Sequence, residues 1–583
     1  MKFYKTLLAC FLALVLFSFL VFFLPIIGLM AIAFSTSDTS SKIPEGSILM
    51  LNLNGQLKDR QSIEDMPFNW LEENDYKVYY MDDLMTVLDA AAKNNRIKGI
   101  SIEMGELNCG MASIAELKQY LEDFKKSGKF VYAYSGNYSQ KNYYLATAAD
   151  SIFLNPQGTL DFKGLSSASM FYKGILDKLG VEMQIIKVGA YKSFTEQYSS
   201  DSMSVENRAQ SELLIHSIWK SVLEGISGAR NLSVEVLNQY ADDLLYFDYP
   251  SELKEKGMID GICYRNDFLH KAENRSGLSV PVFVKYKDYL NEVKGSEASK
   301  MLVSGDKIAV VFAEGDIDNG TNDGIHSGKF ENMLWDIADD ESVRAVVLRV
   351  NSPGGSAYGA EQIWRALQCV RAQKPVIVSM GDYAASGGYY ISTAANYIVA
   401  NPSTITGSIG VFSVIPNLDS LSKKLGVSLE TVNTNENSDF GTSIMTPLSD
   451  DMKQKMQEHT ERVYDIFLQR CADGRGLSID SVKSLAEGRV WSGQSAYELG
   501  LVDKLGTLDD AIQLASEKAG LPDYNLEFYP KKKDFMTELS DMFEISQKKI
   551  GLSIVFSKES AIFEQIRQID RYQALMPIQF EIR

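Results

Sequence analysis

Histidine is scarce here: His216, His270, His326 and His459 stand isolated from one another among 583 residues. A Ser-His-Asp arrangement is therefore poorly supplied, and each of the four reads as an ordinary surface or core histidine. Cysteine is little richer. Cys10, Cys109, Cys263, Cys369 and Cys471 form an odd, scattered set without a CxxC pair. That pattern speaks against a disulfide framework and against a zinc site. Neither metal nor cofactor is expected. Positive charge is in deficit: a net −18 at pH 7 argues against a nucleic-acid binder, which usually shows a basic face. No GxxxxGKS/T run is present, so a phosphate loop of that type is excluded.

Long apolar runs are lacking too, save one at the N-terminus. Thr6 through Phe34 carries no charge, and roughly twenty such residues in a helix cross the hydrocarbon core of a bilayer. A secretory signal has a shorter apolar core of about 7–15 residues, so an uncleaved single-pass anchor is expected. The small residues Ala31 to Ala33 keep cleavage open as the alternative. Lys2 and Lys5 precede the run and the next basic residue is Lys42. The positive-inside rule then leaves the N-terminus in the cytoplasm and the rest of the chain outside it.

That remainder is internally repeated. "RIKGISIEM" (from Arg96) resembles "SVRAVVLRV" (from Ser342), with Ile97 falling on Val343, 246 residues later. "YYLATAADSIFLNP" (from Tyr143) resembles "YYISTAANYIVANP" (from Tyr389), and "KLGV" at Lys178 matches "KLGV" at Lys424, in the same register. Each copy alternates short Val- and Ile-rich runs with turns and helical spacings, the pattern of an α/β fold with buried parallel strands. In the second copy "KIAVVFAEG", "AVVLRV", "PVIVSM" and "YIVANP" read as strands and "AYGAEQIWRALQCVRAQ" as a helix. "NSPGGS" reads as a turn. The expected domains are an anchor at 1–45, a first copy at 46–295, a second copy at 296–525 and a tail at 526–583.

The repeat permits a subtraction. Ser386, in "GDYAASGGYYIS", falls on Gln140, and Gly387 and Gly388 fall on Lys141 and Asn142. "NSPGGS", with Gly354 and Gly355, falls on "GELNCG". The first copy has lost both small-residue motifs. Conversely Lys192, in "KVGAYKSFTE", falls on Ser438. One half keeps a serine among glycines and the other keeps a lysine, as expected where one site needs one of each.

A serine hydroxyl becomes a nucleophile when a base takes its proton. Without a credible histidine, a neutral lysine is the remaining candidate, and Ser-Lys pairs are a known variant of the triad. Such a lysine must titrate about two to three pH units below its ordinary 10.4, which burial achieves. The glycines meet the second need of acyl transfer, backbone N–H groups aimed at an oxyanion: Gly387 after the serine, and the Gly354/Gly355 pair. Taken alone, a serine-glycine helix start is packing or capping, and "SPGG" is a turn. Their conjunction with the complementary losses favours a catalytic reading.

"RVNSPGGSAYGAE", "GDYAASGGYYISTAANYIVANPSTITGSIG" and "VGAYKSFTE" resemble the long, tandem-domain form of the signal peptide peptidase A family. The resemblance covers nearly all of the chain after the anchor. It implies a tandem duplication of a Clp protease/crotonase-like domain behind a transmembrane helix. It also implies Ser386 as nucleophile, Lys192 as general base, and Ser408 supporting the lysine by hydrogen bonding. Gly387, Gly354 and Gly355 would line the oxyanion hole. The implied activity is degradation of cleaved signal peptides and other apolar peptides by acyl-enzyme hydrolysis. The implied assembly is a homotetramer on the bacterial inner membrane, with the catalytic part on the periplasmic side. Two other readings compete: a crotonase-type enzyme acting on acyl thioesters, and an inactive scaffold. The anchor weighs against the first and retention of both Ser386 and Lys192 against the second.

Overall fold

The computed structural model describes residues 43–61, 77–277, 282–300, 305–318, 324–441, 443–531 and 573–575, besides position 17. Apart from position 17, the apolar run of the expected anchor lies outside the described residues. Among those described, no helix is long and apolar enough to cross a membrane.

The two copies build two sheets with parallel central strands in the same order. In the first, Ser47–Lys58, Ile97–Asn108, Phe130–Ser135, Ser151–Leu154 and Gly261–Ile262 lie side by side. In the second, Lys307–Glu314, Val343–Ser352, Val376–Ala385, Tyr397–Ala400 and Lys504–Leu505 repeat that order. Asn525–Tyr529 extends the second sheet beside Lys307–Glu314. The inner strands are buried on both faces, as in Val343–Ser352, so they read as continuous apolar runs rather than as alternation. Helices cover them. Ala357–Arg371 buries Ala360, Ile363, Ala366, Leu367 and Val370 at three- and four-residue steps. Its first turn is capped by Ser356 Oγ, which accepts the Gly359 N–H at 3.0 Å.

The duplication persists in individual bonds. Tyr143 Oη donates to the Met258 carbonyl at 2.7 Å, and Tyr389 Oη to the Leu501 carbonyl at 2.9 Å. Asp260 accepts the Ile152 N–H and pairs with Arg230, while Asp503 accepts the Ile398 N–H and pairs with Arg475.

A third sheet joins the halves. Glu182–Val188 of the first copy runs antiparallel to Val411–Asn417 of the second, and the sheet continues through Gln573–Leu575 to Gly354–Ser356. The "NSPGGS" motif is thus a strand after its proline, not the turn expected. It is held in place from two sides: Ile317 N–H donates to the Gly354 carbonyl, Ser356 N–H donates to the Ile317 carbonyl, both at 2.8 Å, and Gln573–Leu575 pairs with it.

Candidate active site

Strand Val376–Ala385 ends at Ser386, which turns abruptly into helix Gly387–Ser392. Ser386 has φ 54° and ψ −114°, a combination that L-residues adopt only under constraint. Two backbone bonds hold it: its N–H donates to the Gly407 carbonyl, and its carbonyl accepts the Tyr390 N–H, each at 2.8 Å. Although it occupies the N-cap position, its hydroxyl does not cap the helix. That oxygen faces a lysine instead.

Lys192 Nζ lies 2.9 Å from Ser386 Oγ, 2.9 Å from Ser408 Oγ and 3.1 Å from the Ser408 carbonyl. Lys192, Ser386 and Ser408 all have zero solvent exposure. The Phe412 ring centroid stands 5.8 Å from the amine. Burial, the one cause acting, holds the Lys192 pKa well below its ordinary value. Three oxygens suit both protonation states. The ammonium donates to all three, and the neutral amine donates to two while its lone pair receives the Ser386 O–H.

The loop carrying Lys192 comes from the first copy and seats on the second. Tyr191 N–H donates to the Glu487 carbonyl at 2.8 Å, and Ala190 N–H to the Glu487 carboxylate at 3.1 Å. Gly488, at φ +77°, lies so close that a Cβ there would fall 2.7 Å from Lys192 Cβ. Gln210 locks the same loop: its amide donates to the Tyr191 carbonyl and Ser193 Oγ, and its Oε1 accepts the Val490 N–H. Ser408 N–H donates to the Arg489 carbonyl at 2.7 Å. One turn, Glu487–Arg489, therefore positions both the lysine and the serine beside it.

Gly387 packs on the Gly354–Ser356 strand: a Cβ built on it would lie 3.2 Å from Gly354 Cα and from Gly355 N. The Gly354 N–H donates to Ser352 Oγ at 3.2 Å. Gly387, next to Ser386 in the chain, is thus packed directly against Gly354 and Gly355. All six residues singled out in the sequence meet at this one place. Sequence reasoning missed Phe412, Gln210 and the Glu487–Arg489 turn. The glycine in "AEGRVW" was the one local signal available. Among the described residues no group of three His, Cys, Asp or Glu is placed to hold a metal.

The corresponding place in the first copy is filled. Gln140 Oε1 accepts the N–H groups of Lys163 and Gly164. Lys141 Nζ donates to the Cys109 carbonyl, and the Asn142 amide donates to the Gly105 carbonyl. In the 246-residue register Ser408 falls on Phe162, which is fully buried.

The chain is similar to known proteins over most of its length. The model of Peptidase family S49 matches residues 123–279 and again 368–522. Protease 4 of Haemophilus influenzae is 33% identical over 537 residues, 88% of this chain and 86% of the relative. Protease 4 of Salmonella typhi is 35% identical over 77% of this chain and 73% of its own. The chloroplastic serine protease SPPA of Arabidopsis thaliana is 30% identical over 82% and 70%. Among solved structures a ClpP1 mutant from Listeria monocytogenes covers 35% of this chain at 14% identity, with a TM-score of 0.24. That likeness is too slight to bear on the fold. Two S49 matches in one chain, relatives named as proteases over most of its length and a buried serine-lysine contact converge: the chain belongs to peptidase family S49, in the long two-copy form of signal peptide peptidase A, and is a serine protease.

Proposed function

We propose that this protein is a membrane-anchored endopeptidase working through a Ser386–Lys192 dyad, with cleaved signal peptides as substrates. The observation that carries the reading is the 2.9 Å contact between Lys192 Nζ and Ser386 Oγ, both fully buried. In the reaction, neutral Lys192 takes the Ser386 hydroxyl proton as Oγ attacks the peptide carbonyl carbon. The oxyanion forms beside the Gly387 amide and the Gly354/Gly355 pair, of which Gly355 is the candidate donor because the Gly354 N–H is engaged by Ser352 Oγ. Ammonium Lys192 then protonates the departing amine, leaving an acyl-enzyme and the C-terminal fragment. Water adds to the ester carbonyl, giving its proton to Lys192, and Ser386 leaves as the hydroxyl. Ser408 holds the amine in line through its hydroxyl and carbonyl.

The apolar substrate class is supported by the uncharged Thr6–Phe34 run, which would hold the enzyme at a membrane where spent signal peptides remain. A Clp/crotonase-like fold, a single-pass topology with the catalytic part on the periplasmic side, and a homotetramer complete the reading. Exposed Met170, Ile175, Leu425 and Val432 support subunit association. They lie in or near the two "KLGV" segments, which Lys424 Nζ ties together by donating to the Lys178 carbonyl. The test is hydrolysis of a synthetic signal peptide by the detergent-solubilised full chain, beside Ser386→Ala and Lys192→Ala. Cleavage by the wild type and by neither variant is expected. Cleavage by Lys192→Ala at the wild-type rate would overturn the dyad.

A further inference from the structure

One buried side chain holds the residues on both sides of Lys192. Gln210, on helix Val205–Arg230 of the first copy, has zero solvent exposure. Its amide donates to the Tyr191 carbonyl at 3.0 Å and to Ser193 Oγ at 2.9 Å, immediately before and after the lysine. Its Oε1 accepts the Val490 N–H, from the second copy, at 3.2 Å. Val490 opposes Gly407 in an antiparallel strand pair, and the Gly407 carbonyl accepts the Ser386 N–H at 2.8 Å. One amide group thus grips the backbone around the lysine and is linked through a single strand pair to the backbone of the serine.

The far end of the lysine loop is tied to the same helix. Glu196 accepts the Ser204 hydroxyl at 2.6 Å, the Ser204 N–H at 3.2 Å and the Asn207 amide at 3.0 Å. That contact stays within the first copy, whereas Gln210 reaches across the joint. The repeat sharpens the distinction. With the N-cap serines Ser204 and Ser449 aligned, Gln210 falls on Lys455. Lys455 is exposed and pairs with Asp451 of its own helix. A surface lysine in one copy therefore stands where the other has a fully buried glutamine, an asymmetry like that of Lys192 against Ser438. Burying a primary amide is costly unless its polar atoms are met, and here both ends are engaged.

We propose that Gln210 is a positioning residue for hydrolysis: by holding Tyr191, Ser193 and Val490 together it sets the reach of the Lys192 amine to Ser386 Oγ. This rests on the reading of Lys192 as the base. A misplacement of about 1 Å between reacting groups costs about 10²-fold in rate, so a side chain that never touches substrate can govern kcat.

The test uses the full chain and a short apolar fluorogenic peptide. Gln210→Met fills the space without a polar atom. It should lower kcat about 10- to 100-fold at unchanged KM. The midpoint of the rise of kcat/KM with pH should also move up, because a loosened loop admits water and water favours the ammonium. Ser193→Ala removes one of the three bonds and should lower kcat about threefold, with the midpoint moved the same way. Wild-type kcat and midpoint in both variants, or in Ser193→Ala where Gln210→Met does not fold, overturn the proposal. A lower kcat at an unmoved midpoint overturns it too, since a merely structural role predicts that result. A second measurement needs no hydrolysis: acylation of Lys192 by an N-hydroxysuccinimide ester in Ser386→Ala chains, followed by mass spectrometry. Acylation about tenfold faster with Gln210→Met is expected, because the buried amine reacts only when its loop opens. Equal rates overturn the hold of Gln210 on the lysine. Faster acylation beside wild-type hydrolysis by Lys192→Ala would sink the base reading and leave that hold standing.

Discussion

A serine ahead of a helix ordinarily spends its oxygen on the first turn. Ser139 does so in the first copy, accepting the Asn142 N–H at 3.4 Å. Ser386 is excused from that duty by its positive φ, and its oxygen is left to Lys192. Ser386→Ala and Lys192→Ala should each lower kcat by about 10⁴-fold or more, since the members of such a unit fail together. Unchanged circular dichroism would show that the fold is intact. Ser408→Ala leaves the backbone carbonyl as a partner of the amine, so a smaller loss, about 10²-fold in kcat, is expected. The sign of the pH dependence follows from burial. The base form is the neutral amine, so kcat/KM should rise with pH through a midpoint well below the ordinary lysine value. Stability follows the same sign. Between the depressed folded pKa and the unfolded value near 10.4, the unfolded chain binds one more proton, so stability should climb by about 1.4 kcal/mol per pH unit. In Lys192→Met that slope should vanish from urea unfolding measured across the window. A slope equal to the wild type's would show that the amine is not buried in its neutral form.

At the scale of elements, the position of Lys192 depends on a glycine almost three hundred residues away. Gly488 has φ +77° and no room for a side chain against Lys192. Gly488→Ala therefore pays twice, in backbone strain of about 1–3 kcal/mol and in displacement of the loop. A drop in kcat larger than the shift in unfolding midpoint implies is expected; an unaltered kcat would show that the loop is not seated by this turn. The same contact explains what could be read from sequence. Lys192 and Ser386 were legible because duplication supplies an internal comparison, and each residue's counterpart, Ser438 or Gln140, has a different chemistry. The strands were legible from their unbroken Val and Ile runs. Ser408 came from resemblance to a family, since a serine in "TGSIG" has no local pattern marking it. Gln210 and Phe412 had no marker either, and Gly488 offered only its being a glycine. Their importance lies in contacts between distant segments, and periodicity reports only on neighbours along one element. "NSPGGS" misled for the same reason: its composition is that of a turn, and the partners that make it a strand lie at Ile317 and Gln573–Leu575.

On the scale of the whole molecule, a site assembled from two copies is only as good as the joint between them. Charges buried in that joint tie it. Arg349, in the second copy, is 1% exposed and donates to Asp59 at 2.9 Å and Glu116 at 2.6 Å, both from the first copy. The Glu116 carboxylate also accepts the Leu508 N–H at 2.9 Å. Asp382 reaches the other way, accepting the Gly110 and Ser113 N–H groups and the Ser113 hydroxyl. Removing one member of such a cluster strands the others in a dry interior, at about 3–5 kcal/mol. Arg349→Met should therefore lower the urea midpoint by a corresponding amount. Adding Asp59→Asn and Glu116→Gln to it should recover part of the loss, because neutral amides are less costly to leave buried than charges. The functional consequence is sharper than the thermodynamic one. Lys192 and Ser386 stand on opposite sides of this joint, so separating the copies by a fraction of an ångström weakens their contact before either sheet melts. In Arg349→Met, loss of hydrolysis should precede loss of helical signal as urea rises. Coincident transitions would mean that the two copies unfold as one body and that these charges do not govern the alignment of the pair.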